Sequence, residues 1–362
     1  YDTIHFPDGF EISVGRPAEA YKTELKEHFP DNAEEIDAYF EALVSGEKAI
    51  RLVSAGRSIP ELLRSVHRRW NKKKIDRWCG RTTSEVISEY ISDPKLAAVL
   101  SAQWGTYGGI PEQSSFAIHA LIIRHYLDGA GYPVGGAGSI AAGLVPVIQS
   151  AGSSARPETM VDEILIDDGR AIGVRTADGQ EFEAPAIVSA IGAGETVHRL
   201  LPQEISKQEW AIEIAAMKPS ICHFEMFLGF EGDIEKLGAT RANHWFFESW
   251  DTNDGLWTNT EDPIQMMFVS FPSLKDAKHD PGPSHRHTGQ FLVLADWATV
   301  ADFVTDDGIK DPDKWAAFKD DVQARMMAFF ANKFPALAPL VVCRVFGTPL
   351  ATAKFTAHEK GG

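Results

Sequence analysis

Between Met160 and Ala190 the chain reads MVDEILIDDGRAIGVRTADGQEFEAPAIVSA. Three short β runs, Met160–Ile166, Ala171–Thr176 and Glu181–Glu183, are separated by Asp167-Asp168-Gly169 and Ala177-Asp178-Gly179. Asp and Gly tolerate the left-handed backbone that tight hairpins need, so the pattern predicts consecutive antiparallel strands, a β-meander. The third run continues towards Ile187–Ala190, and Ala186 to Ala193 reads as an apolar strand after the meander.

The flanking sequence has other textures. Thr3–Phe6 and Phe10–Val14 flank Pro7-Asp8-Gly9, a hairpin signal. From Ala18 to about Leu127 the pattern is mostly helical. Asp31 is placed to cap a long helix in which Ile36, Tyr39, Phe40, Leu43 and Val44 recur at helical spacing. Ser84 precedes a second amphipathic stretch, Pro94 suits a first helical turn, and Ser115 to Leu127 is apolar on most sides, as in a buried helix. Gly138 to Ala151 also reads as helix. After Pro202, Ser206–Met217 is helical, and Ile221–Phe230, Trp245–Trp250, Gln265–Phe271 and Gln290–Trp297 read as strands. Pro312–Phe334 is a long helix and Leu340–Phe346 a last strand. The fold class expected is α/β (α+β).

A length of 362 residues suggests two domains at about 150 residues each. The formal net charge of −16 argues against nucleic acid, whose phosphates need clustered bases. One local exception is the basic run Arg64, His67, Arg68, Arg69, Lys72, Lys73, Lys74, Arg77 and Arg81, with Trp70 and Trp78 inside it. A cationic segment with interfacial Trp suits an anionic membrane surface, and a solvated helix face is the plainer reading. Three scattered cysteines imply no disulfide framework, so a reducing, cytoplasmic compartment is expected, with membrane association through residues 64–81 as an addition. No apolar run approaches the ~20 residues of a membrane span. His279, His285 and His287 cluster in a Pro-marked loop without a completing Cys or carboxylate, so no metal is expected.

Within YPVGGAGSIAAG (132–143), Gly136 to Ala141 fits the dinucleotide pattern G-x-G-x-x-[G/A]. That fingerprint needs a buried strand before it and an acidic ribose ligand about 20 residues on. Here Arg124 to Gly131 reads as a helix end and loop, and Glu158 precedes the next strand instead of ending it. The run is expected to be a look-alike: glycines at a helix N-terminus that bring backbone N–H groups close to a ligand, or a plain helix cap. A nicotinamide-dependent Rossmann enzyme would require a central parallel strand ahead of it.

Several segments together resemble the phytoene desaturase and retinol saturase (carotenoid isomerase-like) family of FAD-dependent flavoprotein oxidoreductases. They are HFPDG, QWGTYGGIPEQSSFAIHA, YPVGGAGSIAAGLVPVIQSAG, the meander through IVSAIGA, LLP, FPSLKD, FLVLADW and FGTPLATAKFT, in that order along most of the chain. The resemblance implies a two-domain fold, in which a flavin-binding domain is roofed by a mixed-sheet substrate domain with helices. It implies a substrate part at 1–130, a remnant of the FAD domain at 131–202, the second substrate part at 203–346, and a return towards the FAD domain at 347–362. Gly135, Gly136 and Ser139 would then open a helix beside the flavin ring. Val161 would meet the adenine through backbone groups, and Ala190, Ile191 and Gly192 would pass the diphosphate. The family's opening strand–G-x-G-x-x-G–helix unit and its closing Gly-rich flavin segment are missing from these residues. The expectation is therefore an internal fragment, inactive and binding FAD weakly if at all.

The resemblance further implies FAD, with NAD(P)H as a candidate electron donor, acting on carbon–carbon bonds of an apolar polyene, isoprenoid or lipid. Flavin chemistry asks little of side chains beyond positioning and water exclusion, which suits a sequence with no hydrolase, metalloprotease or P-loop signature. No catalytic residue is assigned. Trp104, Tyr107, Phe227, Trp245 and Phe247 are the candidates for an aromatic-lined substrate tunnel, with ordinary core packing as the alternative for each. A non-catalytic lipid-binding or interaction module of the same fold is the competing function.

Overall fold

The computed structural model describes residues 1–305 and 308–362. The chain divides into two compact units, one made of Tyr1–Tyr132 with Phe224–Phe346, the other of Pro133–His223 with Gly347–Gly362. Residues 203–223, expected with the substrate part, fall in the second unit.

The first unit opens with strands β1 (Asp2–His5) and β2 (Glu11–Val14), antiparallel across the turn at Pro7–Gly9. Six α-helices follow: α1 (Ala18–His28), α2 (Ala33–Ser58), α3 (Glu61–Cys79), α4 (Thr83–Tyr90), α5 (Pro94–Ser101) and α6 (Phe116–Leu127). Asp31 does not cap α2. It lies in a 3-10 turn, Pro30–Asn32, and Asn32 occupies the cap position with its side-chain amide committed to Glu35 at 2.9 Å. Helix α4 begins one residue before Ser84, held by a reciprocal cap in which Thr82 and Glu85 exchange side-chain-to-backbone bonds at 3.2 and 2.9 Å. Asp93 caps α5 ahead of Pro94.

The second unit opens with α7 (Gly138–Ser150), then the meander β3 (Val161–Asp167), β4 (Arg170–Thr176) and β5 (Glu181–Glu183). All neighbours in it are antiparallel, with Ile164 opposite Val174 and Val174 opposite Phe182. Asp168 and Gly169 both take positive φ, 43° and 73°, as the tightest hairpin turns demand. The expected apolar strand at 186–193 is not formed. Residues 186–192 carry no strand hydrogen bonding, and Val188 is 89% exposed. A strand exists only where a neighbour answers its N–H and C=O groups, and none does among the described residues. The expected helix at 206–217 is broken into Gln203–Ser206 and Glu209–Ala215.

Seven strands form the main sheet. Beyond β1 and β2 they are β6 (Cys222–Glu231), β7 (Asn243–Phe247), β8 (Met266–Ser270), β9 (Arg286–Ala295) and, after the two-residue ribbon β10 (Val304–Thr305) and β11 (Gly308–Ile309), β12 (Val341–Gly347). The order is β12-β6-β9-β8-β7-β1-β2, and the β1–β7 pair is parallel, so the sheet is mixed. Alternation gives it two faces. One is packed by the helix Pro312–Lys333: Phe330 stacks on Phe291 at 5.1 Å and lies 6.2 Å from Phe230. The other face carries Trp245, and Leu294 and Trp245 meet Gly105, just after α5.

Helices α2 and α6 approach closely at Gly46, where an added Cβ would lie 2.8 Å from Ala120 Cβ and 3.1 Å from the Phe116 ring. A Cβ neighbour moves only with its backbone, so the clash outweighs the better helix propensity of a larger residue. Gly46→Val is expected to lower unfolding free energy by about 1–3 kcal/mol in urea titration. An unchanged midpoint would mean that the two helices are not in contact there.

Candidate functional site

The Trp245-bearing face is where side chains of chemical interest converge. The pairing places Trp245 opposite Phe268 and Phe268 opposite Leu292, so the three form one row across β7, β8 and β9. Strand β6 adjoins β9, and its inward set Phe224, Met226, Leu228 and Phe230 is buried on the other face. Phe227 therefore projects on the Trp245 side. Along the row, cover decreases: Trp245 is 4% exposed, Phe268 and Leu292 are half-buried, and Phe227 is 43% exposed. Glu225 and Gln290, also half-buried, share this face. Burial pushes the Glu225 carboxyl up. An apolar row of this kind, rimmed by few polar groups, has the character of a site for an apolar ligand.

Of the five expected lining residues, two lie in this row, Trp245 and Phe227. Trp104 is fully buried, donates its indole N–H to Thr252 O at 2.9 Å, and meets Phe247 around Gly255. Phe247 is buried and stacks on Phe6 at 5.3 Å. Tyr107 is half-buried, with its hydroxyl 3.0 Å from His119 Nδ1. Phe268 and Leu292 were missed by the sequence reading. Strand parity counted from Trp245 in the apolar runs 265–271 and 290–297 would have found them. A separate groove of about 530 Å³ lies against α4, α5 and the Trp250–Asn253 turn, and none of the expected site residues lines it.

At the closed end of the face sits a buried polar cluster that the sequence reading also missed. Asp2, 4% exposed, accepts hydrogen bonds from Asn243 Nδ2 (2.7 Å), Gln103 Nε2 (2.7 Å) and Trp245 Nε1 (3.0 Å). Burial pushes its carboxyl up, and these three donors oppose the shift. The Lys275 ammonium donates to Ser270 Oγ at 2.7 Å and to Asn243 Oδ1. Burial holds this lysine below its ordinary value, and Asp2 counteracts that.

On the opposite face, His5 and His244 share a hydrogen bond, Nε2 to Nδ1, at 3.0 Å. His5 Nδ1 lies 3.1 Å from Glu11, and His244 Nε2 lies 2.9 Å from Thr240 Oγ1. Burial pushes His244 down to about 4, with the neighbouring His5 and Lys275 adding to the effect. His119, on α6, is enclosed between Tyr39 OH (2.7 Å) and Tyr107 OH, and burial pushes it down to about 3. Its neutral ring offers one donor and one acceptor, which the two phenols complement. In the loop after β8, His279 bonds Arg286 O at 2.8 Å and His287 lies 3.2 Å from Ser273 Oγ.

The residues expected to meet a nucleotide lie in the second unit. Gly135 and Gly136 take φ of 89° and 77° just before α7, and the Ser139 hydroxyl turns back to Gly136 O at 2.7 Å. The glycine run follows α6 and a loop, not a strand, so the nicotinamide Rossmann reading fails. Val161 begins β3, and its carbonyl accepts from Arg199 at 3.3 Å. Ala190 and Ile191 are coil, and Gly192, whose carbonyl accepts from Thr196 N–H at 2.9 Å and Thr196 Oγ1 at 3.0 Å, adjoins the returning segment, with Ala357 O 3.4 Å from where its Cβ would be.

No family model matches the chain. It is 30% identical over 370 residues to the all-trans-retinol 13,14-reductase of Danio rerio, covering 97% of this chain and 60% of that protein. It is 27% identical over 371 residues to the chloroplastic prolycopene isomerase of Arabidopsis thaliana, covering 99% of this chain and 59% of the relative. The chain thus spans about 60% of the length of the curated relatives it matches. Among solved structures, a redesigned putrescine oxidase superposes with a TM-score of 0.58 at 10% identity, over 98% of this chain and 68% of that one. At that identity the likeness shows a shared fold.

The buried His119 gives a testable acid sensitivity. Below pH 6.5 the unfolded chain takes up a proton at this position, whereas the folded chain resists until about pH 3. The unfolded state binds more protons in that window, so stability falls as pH falls through it. Between pH 7 and pH 5 the wild-type chain is expected to lose about 2 kcal/mol more than His119→Gln. Urea unfolding at the two pH values checks this, and parallel losses in both proteins would refute it.

Proposed function

We propose that the chain, similar over nearly its whole length to an all-trans-retinol 13,14-reductase and a prolycopene isomerase, belongs with them and is the substrate-side portion of an FAD-dependent oxidoreductase acting on carbon–carbon bonds of an apolar polyene or isoprenoid lipid. The observation that carries this reading is the row Trp245–Phe268–Leu292–Phe227, an apolar strip on one sheet face whose cover thins towards β6. A long conjugated substrate has no charged group to grip. It is held by apolar area, about 25 cal/mol for each Å² withdrawn from water. Trp104 and Phe247 support this reading as packing on the same face beside the strip.

The second unit fits a flavin-side role. Left-handed Gly135 and Gly136 bring open backbone to the start of α7, where nothing stands within 4 Å of a Cβ built on Gly138. Helix α7 has no buried residue, and Ile140, Leu144 and Val147 are each about 60% exposed. Together with the coil segment 186–192, these are surfaces suited to a further layer. We assign Gly135 and Gly136 to the flavin side, Ser139 to the substrate side, Val161 to the adenine side, and Ala190, Ile191 and Gly192 to the diphosphate. The return at 347–362 is read in the same way, and the division expected at 202 lies after His223 in the fold.

When bound, FAD would supply the hydride exchange, with NAD(P)H as donor in the saturating direction. This chain's residues would hold the polyene and exclude water. A peripheral membrane contact by the basic segment 64–81 belongs to the same proposal, since such a substrate dissolves in bilayers. The test is expression of the protein extended through its reading frame at both ends. Flavin absorbance is expected. Phe227→Asp and Leu292→Asp are expected to keep it while lowering polyene turnover at least about tenfold, because a carboxylate is strongly disfavoured beside an apolar ligand. A folded full-length protein without flavin absorbance would replace this reading with a non-catalytic lipid-binding module.

A further inference from the structure

The basic segment divides into two halves with different employment. At its C-terminal end, Arg77 and Arg81 both bind the Glu89 carboxylate of α4, and Arg77 Nη1 reaches it at 2.9 Å. Trp78 packs against Phe116 at 5.7 Å. That end is committed to the fold. The N-terminal end of α3 is not. From Arg64 to Lys74 there are six bases and no acid, in a chain of net charge −16. Among the described residues, no carboxylate pairs with Arg68, Arg69, Lys73 or Lys74.

The same half exposes large apolar side chains. Leu62 is 91% exposed, Trp70 84%, Leu63 56% and Val66 47%. Leu62, Val66 and Trp70 follow i, i+4, i+8 spacing, which confines them to an arc of about 80° on the helix. The inner side, with His67, Asn71 and Ile75 half-buried, faces α2, and Gly56 lies against the His67 ring. The apolar stripe therefore points away from the helical layer, flanked by Arg69, Lys73 and Lys74.

We propose that the stripe Leu62, Val66 and Trp70, with Leu63 beside it, inserts into an anionic phospholipid bilayer, while Arg69, Lys73 and Lys74 engage its headgroups. Charge complementarity identifies the partner: an unpaired cationic block around an apolar wedge matches a negative surface over an apolar interior. The inference rests on reading the basic segment as a membrane contact and narrows it to 62–74, leaving Arg77 and Arg81 to the fold. It also places a bilayer against the unit that carries the apolar sheet face.

The experiment is co-sedimentation of the full chain with phosphatidylserine–phosphatidylcholine vesicles and with pure phosphatidylcholine vesicles, with flavin absorbance followed separately. Binding to the anionic vesicles is expected, at least tenfold weaker on the neutral ones. Leu62→Ser combined with Trp70→Ser, at exposed positions, should weaken it at least tenfold without moving the thermal midpoint. Lys73→Glu with Lys74→Glu should do the same. Arg77→Gln with Arg81→Gln should lower the midpoint and leave the folded protein's vesicle affinity unchanged. In the wild type, brominated lipid should quench a fluorescence component that Trp70→Phe removes. Full binding by the Leu62/Trp70 variant, equal binding to neutral vesicles, no vesicle binding, or unquenched Trp70 would each overturn the proposal. None of these outcomes alters the flavin test.

Discussion

A carboxylate without water has to find donors, and Asp2 finds three. Its oxygens take hydrogen bonds from Asn243, Gln103 and Trp245, side chains drawn from the partner strand β7 and from the turn after α5. That cluster sits on a parallel pairing of the main sheet, β1 with β7, joining residues 241 positions apart. A slip of one residue would carry Trp245 to the wrong face and leave these donors unpaired in the interior, at roughly 1–3 kcal/mol each. The register of this junction thus fixes which side chains point towards the helices α4 to α6 and which towards the helix Pro312–Lys333.

From that parity the character of both faces follows. On one, Phe230, Phe291, Phe330 and Phe334 pack together under the long helix. On the other, packing is tight at the Asp2 end and thins along Trp245, Phe268, Leu292 and Phe227. His119 and His244, both pushed down by burial, are enclosed by partners of their own and serve the interior.

The exposed apolar groups are not all of one kind. Those of α3 stand among unpaired bases, a combination suited to a charged interface. Those of α7, Ile140, Leu144 and Val147, carry no bases among them. The first set matches a lipid surface and the second a protein layer. The distinction comes from the charges around each patch, since the apolar area alone is similar in character.

Much of the local architecture was legible in the chain. Turn chemistry at Asp167–Gly169 and Ala177–Gly179 wrote the meander, Pro7–Gly9 the opening hairpin, and alternation or helical spacing most strands and helices, because each depends on neighbours a few residues away. What required the folded chain was everything that depends on distant partners. The run 186–193 has a strand's composition and no strand to pair with. Asp31 has a capping side chain, but the turn at Pro30 hands the cap position to Asn32. Trp104, Phe247, Trp245 and Phe227 are all large aromatics, and only the packing around each, Trp104 against Thr252, Phe247 against Phe6, Trp245 opposite Phe268, and Phe227 left 43% exposed, separates them. Arg77 and Lys73 belong to one basic run, and only the approach of Glu89 decides which of them is left for a partner. Sequence sets what a residue can do within a turn or two; the side of a sheet it faces, and whether its charge is already answered, are set by contacts beyond that range, from the 12 positions between Arg77 and Glu89 to the 241 between Asp2 and Asn243.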